Sequence, residues 1–188
     1  MFRWVLLILI IGCCAAIAGQ RTYYVSYQKE GEMTHRIYLQ GDTLGLEIKG
    51  GGLMPTTVSE RKIRRISDDM FTVVESMEDS SRNIGVWIDN MVEYDFYGKT
   101  FKQEDSQLID MSTGRPYVDE DTIKSILGDF PLLIVYDGNR ISWQTADSIH
   151  QKEGKRLKYS TISGEKAYKI FGSAGIKGVI IMKSRFRR

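Results

Sequence analysis

The residues able to do chemistry are few and scattered. Histidine occurs twice, as His35 and His150, in separate segments, so neither a histidine-rich metal site nor a histidine-based triad is supported. Ser59-Glu60-Arg61-Lys62 and Ser163-Gly164-Glu165-Lys166 both fit Ser-x-x-Lys, a spacing that can set an amine beside a serine nucleophile. Its companion Ser-Asp-Asn and Lys-Thr-Gly motifs are missing, and the elbow Gly-x-Ser-x-Gly is absent. Gly50-Gly51-Gly52 invites a phosphate-loop reading, but Leu53-Met54-Pro55 follows where Gly-Lys-Ser/Thr is needed, so a turn is the better account. Asp119-Glu120-Asp121 is a triple acid without the alternating ligands and distal glutamate of a calcium loop. No acid sits in a recognisable glycosidase context. The expectation is a non-enzymatic protein with no cofactor and no metal.

The segment before residue 19 is expected to lie outside the fold. Met1-Phe2-Arg3 gives a short positive start, Trp4 to Ile11 is wholly apolar, and Ala16-Ile17-Ala18 forms a small-x-small site. This is the pattern of a secretory signal peptide, shorter than the roughly 20 apolar residues of a spanning helix. Both cysteines, Cys13 and Cys14, fall inside it. Two processings are open: cleavage after Ala18, which removes both thiols, or lipidation of Cys13 in Ile10-Ile11-Gly12-Cys13, which resembles a bacterial lipobox. In either case the folded part has no disulfide, thiol nucleophile or cysteine metal site.

Twenty-six Lys plus Arg stand against 24 Asp plus Glu, a net charge of +2. That near-balance argues against a dedicated nucleic-acid binder. The basic end Lys183-Ser184-Arg185-Phe186-Arg187-Arg188 reads as a solvated tail.

Stepping along the 188 residues, 19–102 is expected to be β-rich. Tyr23 to Tyr27, His35 to Leu39 and Thr43 to Ile48 alternate as antiparallel strands, with Leu44, Leu46 and Ile48 on one face. Thr56 to Asp69, with Arg61, Lys62, Arg64 and Arg65, reads as a solvated strand or helix edge, and Met70 to Ser76 as a strand. Ile84 to Ile88 and Met91 to Tyr97 form a hairpin whose Trp87, Tyr94, Phe96 and Tyr97 pack together or line one face. Gln103 to Pro116 is polar and irregular, so 103–117 is expected to be a linker.

From residue 118 the periodicity changes. Val118 to Leu127 reads as a helix with its acids in the first turn, where the dipole favours them. Pro131 to Tyr136 is a buried strand ended by the turn Asp137-Gly138-Asn139, and Ser142 caps a helix to Lys152. The strand Leu157 to Ile162, helix Glu165 to Phe171 and strand Val179 to Met182 follow. Gly172, Gly175 and Gly178 supply positive φ and close backbone approach between the last two. The expected class is α+β: an antiparallel β-rich part followed, over 118–188, by a small β-α-β-α-β module.

These last residues carry a resemblance. Ile134-Val135-Tyr136-Asp137-Gly138, Gly164, Ala167 and Phe171-Gly172-Ser173-Ala174-Gly175-Ile176-Lys177-Gly178-Val179-Ile180-Ile181 resemble the plug domain of TonB-dependent outer-membrane receptors. Phe171 stands where that family usually has tyrosine. The likeness spans about 50 residues, Pro131 to Lys183, and no barrel of a receptor's size follows. It implies a plug-like fold and a Gram-negative envelope setting, periplasmic or outer-membrane associated. Asp137, Gly138, Gly164, Gly172, Gly175, Gly178 and Val179 would serve backbone geometry or packing. The function expected is a protein-interaction or assembly module for an envelope or outer-membrane protein. The alternative is a periplasmic binder of a small ligand on the aromatic face of Trp87, Tyr94 and Tyr97. A deep apolar pocket would favour the alternative, and an exposed strand edge the interaction reading.

Overall fold

The structure, a computed structural model, describes residues 20–29, 32, 34–49, 56–75 and 96–185. The leader with Cys13, the Gly50–Gly52 turn and the hairpin that carries Trp87 and Tyr94 lie outside the described residues. The protein is a mixed α+β chain with an antiparallel sheet. It divides into two compact units: residues up to Tyr24 with His35–Arg115, and Val25–Thr34 with Pro116–Arg188.

Eight strands follow one another in sequence order around a closed barrel: β1 (Thr22–Val25), β2 (His35–Gln40), β3 (Thr43–Ile48), β4 (Thr57–Arg65), β5 (Met70–Val73), β6 (Thr100–Glu104), β7 (Gln107–Asp110) and β8 (Arg115–Asp119). Two-residue turns set the register where Gln40 pairs with Thr43 and Glu104 with Gln107. Gly41 and Asp105 take φ of +58° and +48° there, as such turns require. The interior of an eight-stranded barrel is narrow enough for side chains to fill. Ile37 lies opposite Leu46, and Phe71 opposite Phe101 with the rings stacked 5.5 Å apart. Ile37, Leu44, Leu46, Val73 and Leu108 complete a core that solvent does not reach.

Two expectations are corrected here. The stretch expected as an irregular linker, Gln103–Tyr117, is strand through the end of β6, all of β7 and the start of β8. The inward positions of β7 are Leu108 and Asp110, and one buried carboxylate among outward polar residues disguises the alternation. The charged stretch expected to be solvated is β4, which turns Ser59, Arg61 and Ile63 inward and Lys62 and Arg64 outward. Arg61 is 1% exposed, with its guanidinium carbon 6.0 Å from the Phe96 ring centre.

The second unit holds α1 (Glu120–Leu127), β9 (Leu133–Tyr136), β10 (Asn139–Ile141), α2 (Trp143–Glu153), β11 (Leu157–Ile162), α3 (Gly164–Phe171) and β12 (Val179–Ser184). Asp119 caps α1 by accepting from the Asp121 N–H at 3.2 Å, and Ser142 caps α2 by accepting from the Thr145 N–H at 3.2 Å. The sheet runs β10-β9-β12-β11, with β9 and β12 parallel and both outer strands antiparallel to their neighbours. Successive residues of a strand face opposite ways. Leu133 and Val135 therefore join Ala167 of α3 and Val179, while Ile134 joins Ala146 of α2, Leu157 and Met182. Both faces are covered, which is why β9 is wholly apolar. A third cluster packs Val25 and Tyr27 with Val118, Ile123 and Ile176, so Val25–Thr34 belongs to this unit. The expected contiguous module lacks that segment, and it lacks β10 as well.

Candidate interaction surface

β11 is the last strand of its sheet, and among the described residues no strand pairs with its outer edge. Its β-branched and aromatic residues suit extended backbone, and it pairs with β12 from Leu157 opposite Ser184 to Ile162 opposite Val179. The Arg185 N–H donates to the Arg156 carbonyl at 2.8 Å, one step beyond that register. In an antiparallel ladder hydrogen-bonded and non-bonded pairs alternate, so Lys158 and Ser160 also turn their backbone groups toward β12. The N–H and C=O of Leu157, Tyr159 and Thr161 point the other way, to the open edge. Lys158 to Thr161 are all exposed. The Tyr159 hydroxyl lies 2.6 Å from His150 Nδ1, which ties the strand to α2, and burial pushes the Tyr159 phenol up.

Cations surround this edge. Lys152, Lys155, Arg156, Lys158, Lys183 and Arg185 are exposed, and none forms an ion pair among the described residues. Elsewhere in the unit Lys124 meets Asp121 at 3.2 Å and Lys169 meets Glu165 at 2.7 Å. The register sets Lys158 opposite Lys183, and its continuation sets Arg156 opposite Arg185. Strand alternation puts Lys158 and Lys183 on one face, with Arg156, the last residue of a 3-10 turn, just before β11 and Arg185 just after β12. Like charges directly opposite on neighbouring strands are destabilising. Lys183 and Ser184, expected in a solvated tail, are part of β12.

A groove of about 640 Å³ lies in the same unit, lined by Ile126, Leu127, Phe130, Leu133, Arg140 and Trp143. Phe130 and Trp143 stack with centroids 4.4 Å apart and an interplanar angle of 12°. Trp143 remains 48% exposed.

The barrel's polar groups serve its architecture. Tyr38 packs over Gly45, its direct neighbour across the β2–β3 pair, occupying the space a Cβ would need. Arg21 lies 4.4 Å above the Tyr38 ring, and the Tyr38 hydroxyl donates to Glu60 at 2.5 Å. Burial, then that bond to a carboxylate, push the Tyr38 phenol far up. Asp110 is buried, which alone would raise its acid range. The Ser112 hydroxyl at 2.6 Å, the Ser112 N–H at 2.9 Å and Lys99 at 3.4 Å together hold it below the usual carboxylate value.

The seven motif residues all lie in the second unit. Asp137 and Gly138, with φ of +45° and +87°, form the two-residue turn between β9 and β10. The Ser184 N–H donates to Asp137 Oδ1 at 3.1 Å, and the Asp137 N–H donates to the Met182 carbonyl at 3.1 Å, fastening that turn to β12. Gly164 opens α3; Gly172 and Gly178 take φ of +59° and +114°. Gly175 is required for another reason, since a Cβ there would strike the Ala167 carbonyl. Val179 is buried at the start of β12. Tyr97 is 60% exposed in the turn before β6, and Trp87 and Tyr94 are not among the described residues. His35 lies in the barrel and His150 on α2, in different units. The edge and its cations went unnoticed in the sequence. Their signal is basic residues two apart, Arg156 and Lys158, then Lys183 and Arg185, and it has meaning only once the pairing of β11 with β12 is known.

Among the described residues no group of three His, Cys, Asp or Glu is placed to hold a metal ion, and no helix is long and apolar enough to cross a membrane. No family model, curated protein or solved structure matches the chain.

Proposed function

We propose that the chain is an exported envelope protein of non-enzymatic type whose second unit is an interaction or assembly module, engaging a protein partner through the open edge of β11. The observation that carries this reading is the edge itself: six residues of strand with three outward-facing backbone positions, exposed from Lys158 to Thr161. Such an edge is a template for strand addition, in which main-chain hydrogen bonds supply affinity and alternate side chains supply specificity. The leader pattern of residues 1–18 and the plug-like glycine spacing support the envelope setting. Under this reading processing occurs after Ala18 or at Cys13, which N-terminal sequencing and mass measurement of the envelope-derived chain distinguish.

The test places a photo-crosslinking residue at Ser160 and, as a control, at Asp147 on α2. A discrete envelope adduct from position 160 alone, abolished by Thr161→Pro, is the expected result. Proline at 161 removes an outward N–H and leaves the β12 ladder intact. Equal adducts from both positions, or none from either, would defeat the reading. A second reading, small-ligand binding, is favoured by the Phe130–Trp143 groove, whose volume is within the usual range of ligand sites. It predicts quenching of Trp143 fluorescence by an aromatic ligand, lost in Trp143→Ala.

A further inference from the structure

We propose that the strand accepted by β11 is acidic, with carboxylates at alternate positions on the face of Lys158 and Lys183. This rests on the strand-addition reading and names the partner's chemistry. Lys158 and Lys183, opposite each other, with Arg156 and Arg185 just beyond the ends of their strands, form a cationic array at one end of the sheet, exposed and in no ion pair among the described residues. Within the chain the arrangement is unfavourable, because Lys158 and Lys183 are like charges directly opposite on neighbouring strands. A partner strand with matching carboxylates removes the conflict.

The geometry sets the pattern of that partner. A strand added outside β11 lies about 4.8 Å from it and places every second side chain on the cationic face, about 6.6–7 Å apart. Lys158 stands on that face of β11, and Arg156 lies in the 3-10 turn just before the strand. Carboxylates at alternate positions therefore place one directly across from Lys158 and the next toward Arg156 at the start of the strand, with Lys183 one strand further in. The positive charge of this face would speed encounter at low salt. The other face of the added strand lies on the side of Leu157 and the α2 cluster, where β-branched residues fit. A block of consecutive acids carries the same charge and fails this geometry, since half its carboxylates point to the wrong face.

The experiment uses the full mature chain and three fluorescent eight-residue peptides, measured by anisotropy at low and at about 0.2 M salt. The first alternates glutamate with valine and threonine, the second has the same composition with its glutamates in a block, and the third replaces glutamate by glutamine. The expected result is binding of the alternating peptide at least tenfold tighter than the other two, weakened by salt. The double variant Lys158→Gln with Lys183→Gln is expected to lower its affinity about tenfold and flatten the salt dependence. An alternating peptide N-methylated on the edge-facing amides should not bind, and this arm leaves the protein untouched should Thr161→Pro fail to fold. Equal binding of the glutamine peptide overturns the acidic partner while leaving strand addition standing. Undiminished binding of the N-methylated peptide overturns both. Tighter binding to phosphatidylglycerol vesicles than to the alternating peptide, unchanged by Thr161→Pro, assigns the array to a membrane surface and overturns the proposal.

Discussion

Gly45 shows how one position can depend on a neighbour that sequence distance hides. It is buried in β3 with ordinary strand backbone, and the Tyr38 ring, directly opposite on β2, takes the place of its side chain. Gly45→Ala must displace that ring and with it the Arg21 and Glu60 contacts. A loss of about 1–3 kcal/mol is expected, seen as a lower urea midpoint at unchanged slope. Asp110 makes the second residue-scale prediction. Its folded acid range lies below its unfolded one, so its ionised form stabilises the fold fully above the unfolded carboxylate value of about 3.9. That contribution is lost as pH falls through the folded value. Asp110→Asn should therefore reduce stability at pH 7 and leave the two proteins closer in stability at pH 3, as compared by denaturant unfolding at each pH. A larger gap at pH 3 would reverse the sign and refute the assignment. Neither role was legible beforehand: Asp110 lay in a stretch that looked like linker, and Arg61 in one that looked solvated. Whether a charged strand residue turns inward depends on which strand lies opposite, here Leu44 for Arg61, and no local pattern contains that.

Elements whose signals are local were readable. α2 begins where Ser142 provides a hydroxyl to an orphan N–H, and β11 spans the expected Leu157–Ile162. The glycine-punctuated end from α3 to β12 also has its expected order, because positive φ and tight approach restrict the residue types that fit. Ser142→Ala removes the oxygen that accepts from Thr145, and a loss of about 1 kcal/mol is expected, with Ser142→Asp close to neutral. Thermal unfolding of the two variants checks it. β10 was missed because three residues are too few to show a period, and β7 because its four residues hold only two inward side chains. The open edge of β11 was unreadable for a different cause. An edge is a property of strand order, and the order β10-β9-β12-β11 puts the fourth strand in sequence beside the third.

At the scale of the molecule, the mixed α+β class was legible, since the period changes near residue 118. The discontinuity of the second unit was not. Val25 and Tyr27 sit in a core whose other members, Val118, Ile123 and Ile176, come from the far end of the chain. A fragment 116–188 lacks two buried side chains worth about 1.5–3 kcal/mol each, against a total stability of about 5–15 kcal/mol for a typical domain. The fragment is expected to unfold at a clearly lower urea concentration than the same unit in the whole chain, with the difference reduced when a peptide covering Val25–Thr34 is added. Equal midpoints with and without the peptide would show the segment to be dispensable. The same discontinuity imposes an order in time. During synthesis Val25 and Tyr27 leave the ribosome roughly 90–150 residues ahead of their partners, a wait of about 5–30 seconds at about 5–20 residues per second. The first segment made thus belongs to the last unit completed, and until Ile176 arrives a valine and a tyrosine stand exposed for any chaperone that recognises apolar chain.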